Sequence, residues 1–292
     1  MHQLDELRSL LARHARPDST TAVDGVLISK VDRPEPPSPS MSGTVLAVIA
    51  QGAKRLSLGD RVYEYRAGQY LVASVDLPVT GHFVEASPRR PALGFGLTLR
   101  PDHIAELLLG AGPGEAPGAA PPGIAVSDAS DELLDAVVRL VRLLEAPRDR
   151  DVLAPLVIRE ILWRVITGEQ GGLVRQLGLP DSGLRHVALA VRWIRENYTR
   201  PFRVEEVARL AGMSVSAFHR NFQTVTAMSP IQFQKRIRLH QARLLLATDP
   251  GDIAGVGQRV GYDSASQFSR EYRRAFGAPP SQHAGRLEAA VV

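Results

Sequence analysis

Short runs of apolar and β-branched residues, each bounded by Gly, Pro, Asp or Ser, recur along the first part of the chain. No helical pattern separates these runs, so they predict antiparallel strands in a sandwich, barrel or jelly roll. Gly59-Asp60 joins two of the runs and is a two-residue hairpin signal. The proline- and serine-rich segment 33–42 predicts an exposed, extended chain. The predicted strands cover residues 44–50, 54–58, 61–65, 70–75, 82–86 and 93–99.

The hydrophobic period becomes helical after the last predicted strand. Residues 131–145 carry apolar side chains at i, i+3, i+4 and i+7, which predicts an amphipathic helix. A second helix fits 152–167, and its apolar residues occupy much of its circumference, which indicates burial on two sides, against the sheet or another subunit. The Gly, Pro and Ala content of 110–123 predicts a loop, and 168–183 predicts a partly ordered connection. From His186 onward the pattern is helical.

The helical C-terminal part contains an internal duplication. Residues 204–207 align with residues 253–256 at an offset of 49, and the same offset places Gly212 on Gly261. With one residue inserted, the match continues at an offset of 50, where Phe218 meets Phe268, Arg220 meets Arg270, and Phe222 meets Tyr272. Two copies of one supersecondary unit are therefore predicted.

Each copy has the order helix, short turn at a glycine, helix, which is typical of a helix-turn-helix motif. The second helix of such a motif enters the major groove of DNA, so 215–224 and 265–275 are the candidate recognition helices. A longer linking helix, "PIQFQKRIRLHQARLLL", begins at Pro230 between the copies. The spacing of the four recognition-helix aromatics predicts that they face the core, and they are Phe218, Phe222, Phe268 and Tyr272.

Long polar side chains on these helices are the candidates for contact with DNA. Arg220 and Arg270 occupy equivalent positions, where an arginine reads guanine or contacts a phosphate, and the residues leave both roles open. Gln267 could bond adenine, or its amide could be held by the backbone in a capping box with Ser264. The candidates are Ser216, His219, Arg220 and Gln223 on the first recognition helix, Lys235, Arg236 and Arg238 on the linking helix, and Ser266, Gln267, Ser269, Arg270, Arg273 and Arg274 on the second recognition helix.

Charge is distributed unevenly along the 292 residues, a length that predicts about two domains. Residues 186–292 carry 15 Lys+Arg against 8 Asp+Glu, a net charge of +7. The other residues hold 20 against 23, a net charge of −3, and the whole chain is at +4. A basic segment beside a near-neutral one is typical of a nucleic-acid-binding module joined to another domain.

Composition also excludes several classes of protein. The chain has no cysteine, which rules out a disulfide scaffold, a thiol nucleophile and iron–sulfur or cysteine-containing zinc sites. No apolar run approaches the ~18 residues of a membrane span, so no membrane partner is expected. The N-terminal stretch mixes acidic and basic residues and does not match a signal peptide. We therefore expect a soluble, cytoplasmic protein.

Four longer strings, two in each part of the chain, resemble the AraC/XylS family of transcription regulators. In the C-terminal part they are "RLHQARLLL" and "GYDSASQFSREYRRAFGAPP", and the strand-rich part resembles the N-terminal domain of one branch of that family through "QGAKRLSLGDRVYEYRAGQYLVASVDLPVTG" and "EASPRRPAL". The resemblance implies an α+β protein of two domains, with an N-terminal cupin-like β-barrel or jelly roll with helices. It also implies an all-α C-terminal domain of two helix-turn-helix motifs joined by a linking helix.

The expected boundaries are 17–183 for a sensing or dimerisation domain with a helical extension, and 184–287 for the DNA-binding domain. The resemblance implies a sequence-specific transcription regulator that is not an enzyme and that is controlled by a small effector or by dimerisation. Its expected partners are double-stranded DNA, a second copy of the chain, a small molecule, and RNA polymerase if it activates. An architectural DNA binder without effector and a cupin enzyme with a helical appendage are the alternatives.

A cupin-like domain raises the question of a metal or a ligand in its interior. Only His82 and Glu85 stand together, fewer than the three ligands usual for a catalytic metal, so no metal and no cofactor are expected. An apolar or aromatic effector would be lined by Tyr63, Tyr65, Tyr70, His82 and Phe83, although for any single one of these the favoured role is to fill the core.

The chain departs from the family pattern in the second helix-turn-helix motif. Gly255 and Gly257 stand inside its first helix, where each glycine costs about 1 kcal/mol relative to alanine. This helix is therefore expected to be marginal without DNA.

Overall fold

The computed structural model describes residues 2–34, 36–110, 120–249 and 251–282. The chain divides into two compact units, Met1–Ala188 with Thr224–Ala227, and Leu189–Gln223 with Met228–Val292. Most of the predicted loop at 110–123, namely residues 111–119, lies outside the described residues.

The first unit contains the strands, and all pairings among those described are antiparallel. They form two sheets, of five and of four strands, rather than one closed barrel. The strand orders are β1-β8-β3-β6-β9 and β2-β7-β4-β5. The strands are β1 Val26–Val31, β2 Ser38–Met41, β3 Val45–Gln51, β4 Ala53–Leu58, β5 Arg61–Arg66, β6 Gln69–Ala73, β7 Pro78–Glu85, β8 Ala92–Thr98 and β9 Ile124–Asp128.

Each of the six predicted strands is present, displaced by a few residues at most ends. The β4–β5 hairpin closes with Leu58 opposite Arg61, as the Gly59-Asp60 signal predicts. Three strands were not predicted. β2 lies in the segment expected to be exposed and extended, and it pairs with β7, while β1 and β9 pair with the central strands β8 and β6.

Helices complete the first unit. The amphipathic helix at 131–145 is confirmed, with a final 3-10 turn, and its apolar stripe is buried. The segment 168–183, for which the sequence predicts a partly ordered connection, contains a helix whose residues Leu173, Val174 and Leu177 are buried. The helices are α1 His2–His14, α2 Pro101–Gly110, α3 Asp131–Arg142, α4 Pro147–Thr167, α5 Gly171–Gly178 and α6 Gly183–Glu196, which runs on into the second unit.

The other described residues cover only part of the apolar circumference of α4. Ile161, Leu162, Val165 and Ile166 are buried. On the opposite side, four large apolar residues are exposed, and they are Val152, Leu153, Leu156 and Trp163.

The regular elements in the described part of the second unit are all helices. The order helix, turn, helix occurs twice, with a long helix between, as the duplication predicts. These helices are α7 Val204–Leu210, α8 Val215–Thr226, α9 Pro230–Thr248, α10 Ile253–Arg259 and α11 Ala265–Phe276. No helix in the described part of the chain is both long and apolar enough to span a bilayer.

Candidate nucleic-acid interface

The two helix-turn-helix motifs share the same backbone hydrogen bonds. In the first, the N–H of Met213 donates to the carbonyl of Ala208 at 2.9 Å, and in the second, 49 residues on, Tyr262 donates to Gly257 at 3.0 Å. The turn glycines Gly212 and Gly261 have φ of +68° and +90°, a left-handed conformation that residues with a Cβ rarely adopt. The bonds close the C-terminal end of the first helix in each motif and set the direction of the second.

The second helices also begin in the same way. The hydroxyl of Ser214 accepts the N–H of Ala217 at the start of α8, and the hydroxyl of Ser264 accepts the N–H of Gln267 at the start of α11, both at 3.3 Å. Each serine is an N-cap that satisfies one otherwise unpaired donor of its helix. The sequence repeat therefore corresponds to a structural repeat.

Aromatic residues hold both recognition helices in place. Phe218, Phe222, Phe268 and Tyr272 are all fully buried, which confirms the core role predicted for them. The ring centroids of Phe218 and Phe222 lie 5.3 Å apart, and those of Phe268 and Tyr272 lie 5.6 Å apart. Since these rings fix one face of each helix, the opposite face is left for solvent or a partner.

The candidate residues of α8 lie together on that opposite face. They occur at i, i+3, i+4 and i+7, which puts them on one side of the helix, and all are exposed. Their sequence is Ser216, His219, Arg220 and Gln223. Arg220 is the only Lys or Arg of this helix.

The candidates of α11 are also solvent-facing, except that Ser269 is half-buried. The exposed ones are Ser266, Gln267, Arg270, Arg273 and Arg274. Three arginines within five residues make this helix more basic than α8.

Glu271 brings together two of the candidates from different helices. Its Oε1 accepts bonds from Lys235 Nζ at 2.9 Å and from Gln267 Nε2 at 3.3 Å, and its Oε2 accepts the hydroxyl of Tyr262 at 2.9 Å. The amide of Gln267 is thus directed to Glu271, whereas the two roles considered from sequence were adenine and the backbone. The charge of Lys235 faces a carboxylate within its own chain.

The pKa of Glu271 is lowered by this network. Burial opposes its ionisation, but the bonds from Lys235, Tyr262 and Gln267 together outweigh burial and hold the pKa below its ordinary value of 4.5. Burial also raises the pKa of the Tyr262 phenol, so that group stays a hydrogen-bond donor at neutral pH.

Arg238, one of the predicted phosphate contacts, forms three hydrogen bonds within the second unit. Its Nε donates to the carbonyl of Tyr198 at 2.6 Å, Nη1 to Gly261 at 2.6 Å and Nη2 to Thr199 at 3.1 Å. The guanidinium therefore joins α9 to the segment after α6 and to the turn of the second motif. Burial lowers its pKa from the ordinary value, although an arginine remains charged in proteins. Arg236 is exposed on the same helix.

Contacts in the folded chain that the sequence does not reveal explain why glycines stand inside α10. A Cβ at Gly257 would lie 3.1 Å from Cδ1 of Phe268, so the absence of a side chain lets α10 approach α11 closely. The N–H of Gly255 donates at 2.8 Å to Asp252, the N-cap of this helix. The propensity cost assigned to Gly257 is therefore offset by packing.

We expect Gly257→Ala to destabilise the second unit by about 1 kcal/mol, because crowding of a filled core typically costs ~1–3 kcal/mol and exceeds the ~1 kcal/mol gained in helix propensity. Phe268 is fully buried and has no room to withdraw. Urea unfolding of the full chain measures the difference. Gly251→Ala is the control, since a Cβ there meets no atom within 4 Å. A stabilised Gly257→Ala would contradict the packing explanation.

Glu271 predicts a pH dependence of stability. A carboxylate whose folded-state pKa lies below its unfolded value stabilises the fold above the unfolded pKa, and this contribution is lost as pH falls through the folded pKa. Wild type should therefore be more stable than Glu271→Gln near neutral pH, and the difference should shrink progressively below about pH 4.5. Unfolding midpoints of both proteins from pH 7 to 3 test this, and a constant difference would show that titration of Glu271 contributes nothing.

The residues expected to line an effector site are mostly part of the core of the first unit. Tyr65, Tyr70 and Phe83 are buried, and Tyr63 and His82 are half-buried. Burial raises the pKa of Tyr65. A cavity between α2 and α4 in the same unit has none of the five in its lining. No group of three His, Asp or Glu side chains suited to a metal ion occurs among the described residues.

Two capped helix-turn-helix motifs on a helical unit, preceded by a unit of antiparallel sheets and helices, define a helix-turn-helix protein with a second domain of mixed α and β structure. Residues 22–173 match the family model described as "AraC-type transcriptional regulator N-terminus", and residues 207–286 match a helix-turn-helix domain. The chain belongs to the AraC family of transcriptional regulators.

Curated relatives agree with this assignment. The virulence regulon transcriptional activator VirF of Yersinia enterocolitica is 30% identical over 56% of this chain and 60% of its own length. The regulator ExsA of Pseudomonas aeruginosa is 29% identical over 55% of this chain and 57% of its own length. The matched region thus covers less than two thirds of these relatives.

Solved structures with a similar fold include ToxT from Vibrio cholerae. The apo structure of a ToxT variant has a TM-score of 0.54 at 10% identity, covering 92% of this chain and 100% of that one. A structure of wild-type ToxT described as bound to an unsaturated fatty acid has a TM-score of 0.53 at 12% identity, covering 89% and 93% of the two chains. At this level of identity the likeness shows the two-part fold alone.

Proposed function

We propose that the chain is a sequence-specific DNA-binding transcription regulator in which α8 and α11 each enter a major groove. The observation that carries this proposal is the repeated motif itself: the same turn bonds and N-caps present two helices whose polar faces are exposed. Family membership supports the same function. Because duplex DNA is the partner, we place its action in the cytoplasm, and it acts by binding rather than by catalysis.

The two motifs differ in sequence, so one copy of the chain should read an asymmetric site. If α9 holds them at a fixed spacing, the recognition helices enter successive grooves on one DNA face about 34 Å apart, which is about ten base pairs. Selection from randomised duplexes by the full chain tests this. Two clusters of preferred base pairs at that spacing are expected, and a selected site that spans a single groove would contradict the division between the motifs.

The expected domain boundary remains part of this proposal, with 184–287 as the DNA-binding domain. The described helices of this region have their own buried cluster, which includes Leu239, Val256, Phe268 and Tyr272. A fragment that begins at Gly183, where α6 starts, should fold and bind the selected DNA. A folded fragment without affinity for DNA at low salt would show that the boundary is misplaced.

Arg236 and Lys235 should differ in their contribution to phosphate binding. Arg236 is exposed, whereas Glu271 already pairs with Lys235 at 2.9 Å. Arg236→Gln should lower the slope of log affinity against log salt by about one, as expected when one phosphate contact is lost. Lys235→Gln should lower this slope by clearly less. Titrations at four or more salt concentrations measure both slopes, and equal losses would show that Lys235 leaves Glu271 for a phosphate.

We also propose that the first unit forms a homodimer through the exposed side of α4. Val152, Leu156 and Trp163 share one side of the helix at i, i+4 and i+11, and an exposed apolar stripe of this kind marks an interaction surface. A second copy can cover it symmetrically. Sedimentation of wild type and Val152→Glu tests the proposal, with Val62→Glu as a control on an equally exposed valine of β5. A wild-type monomer at micromolar concentration would remove it.

A further inference from the structure

A cavity of about 640 Å³ lies inside the first unit. Its walls are the turn before β1, the end of β8, and facing sides of α2 and α4. The volume falls within the ~300–1,000 Å³ typical of small-molecule sites. None of its lining residues is among the effector-site residues expected from the sequence, and Leu156 also belongs to the exposed stripe of α4.

The deep wall of this cavity is apolar. Leu97 of β8, Leu107 of α2, and Ala154 and Leu162 of α4 are all buried and contribute to the lining, and Ile158 is half-buried beside them. These side chains come from three elements and leave a space that they do not fill themselves. Such a wall favours the hydrocarbon part of a ligand.

The rim of the cavity carries three ion pairs in which the arginine is always the more buried member. Side-chain exposure is 23% for Arg150 against 79% for Asp151, 48% for Arg159 against 69% for Glu106, and 52% for Arg100 against 95% for Asp24. Each of the three arginine side chains is therefore less exposed to solvent than its carboxylate partner. Exposed pairs of this kind contribute little to stability, so an incoming anion can replace the protein carboxylate.

Two further features of the lining are polar. His103 of α2 adds a ring at the rim. Pro155 lies inside α4 and has no N–H, so the carbonyl of Asp151 lacks the helical donor that residue 155 would otherwise supply. Both Asp151 and Pro155 line the cavity, which places a hydrogen-bond acceptor in its wall.

We propose that this cavity binds an organic anion with an apolar body, a carboxylate on an aliphatic chain being the simplest example. The hydrocarbon occupies the wall of Leu97, Leu107 and Leu162, and the carboxylate pairs with Arg150 and Arg159, whose planar groups match its two oxygens. This assigns the effector site to the α2–α4 side of the first unit. Its regulatory meaning rests on the proposed function, whereas ligand binding is measured without DNA.

Calorimetric titration of the full chain with decanoate tests the proposal. Decanol and decyltrimethylammonium serve as neutral and cationic analogues with the same chain length. Decanoate should bind saturably at one site per chain and more tightly than either analogue. Arg150→Gln and Arg159→Gln should each weaken it by about tenfold, the loss expected for one charge-assisted hydrogen bond. Glu106→Gln should strengthen it, because that substitution removes the competing carboxylate. Arg148→Gln, on α4 but outside the lining, should leave it unchanged.

A filling substitution gives a second, independent test. Ile158→Trp projects from a half-buried position, so the chain should still fold, and it should abolish binding while circular dichroism stays as in wild type. Equal binding of decanoate and decanol, or full affinity in Arg150→Gln, Arg159→Gln and Ile158→Trp, would overturn the proposal. The proposal would also be overturned if the affinity for decanoate decreased as the dimer formed, because a second copy of the chain would then occupy the cavity. If decanoate binds as expected but the protein shows no affinity for DNA, only the proposed function fails.

Discussion

Arg238→Met is expected to lower the free energy of unfolding of the second unit by about 3 kcal/mol, because hydrogen bonds to a charged group contribute ~1.5–3 kcal/mol and this arginine makes three of them, partly screened by solvent. The carbonyls of Thr199 and Gly261 lose the bond from Arg238, and the carbonyl of Tyr198 loses one of two donors. Gln234 Nε2 still donates to Tyr198 and Arg200, so only part of this link remains. Loss of the bond to Gly261 also releases the turn of the second motif.

Tryptophan fluorescence can follow the second unit separately. The chain has two tryptophans, Trp163 in α4 and Trp193 in α6, so a Trp163→Phe background leaves Trp193 as the reporter during urea unfolding. Arg236→Met is the matched control, since this neighbouring arginine is exposed. Arg238→Lys should recover less than half of the loss, because a single ammonium cannot reach all three carbonyls in the same geometry. Equal stability of Arg238→Met and Arg236→Met would contradict the structural role.

Arg220→Ala should weaken binding to the selected DNA site by about 10- to 100-fold, which corresponds to the ~1–3 kcal/mol of a lost guanine contact, and relax preference at one base pair only. Arg270→Ala should do less damage. Arg220 is the only basic residue of α8 besides a histidine, whereas Arg273 and Arg274 remain on α11 when Arg270 is removed. The base pairs affected by the two substitutions should lie about ten positions apart.

Binding measured on the selected site and on all single-base variants of it separates base reading from phosphate contact. Arg209→Ala is the control, because it removes an exposed arginine from α7, outside the recognition helices. It should affect all sequences alike. Unchanged base preference in both Arg220→Ala and Arg270→Ala would mean that both arginines contact phosphates only.

The local features of this chain could be predicted from its sequence. Each of these features affects only the backbone within a few residues of it. They are the turn glycines Gly212 and Gly261, the serines that cap α8 and α11, and the apolar stripes that carry Phe218 and Phe268. Periodicity and capping are local, so a repeated pattern identified two helix-turn-helix motifs directly. The same local signals predict the six runs that form β3 to β8.

Three of the four edge strands of the two described sheets could not be predicted in this way. β1, β2 and β9 are held by strands distant in the chain, and β2 pairs Ser38–Met41 with β7 although its proline and serine content favours an extended loop. Strand pairing depends on the partner across the sheet as much as on the segment's own residues. The choice between a closed barrel and two sheets was likewise decided only by that pairing.

The roles of single polar residues depended most on tertiary structure. Sequence placed Lys235, Arg238 and Gln267 in one class with Arg220, because all are long polar groups on helices of the motif. The folded chain shows what holds three of them: a carboxylate from α11 holds Lys235 and Gln267, and three carbonyls distant in the chain hold Arg238. The sequence by itself determined which helices carry basic groups. Only the tertiary structure decided which of those groups already bond within the protein, because the atoms that pair with them stand up to 40 residues away along the chain.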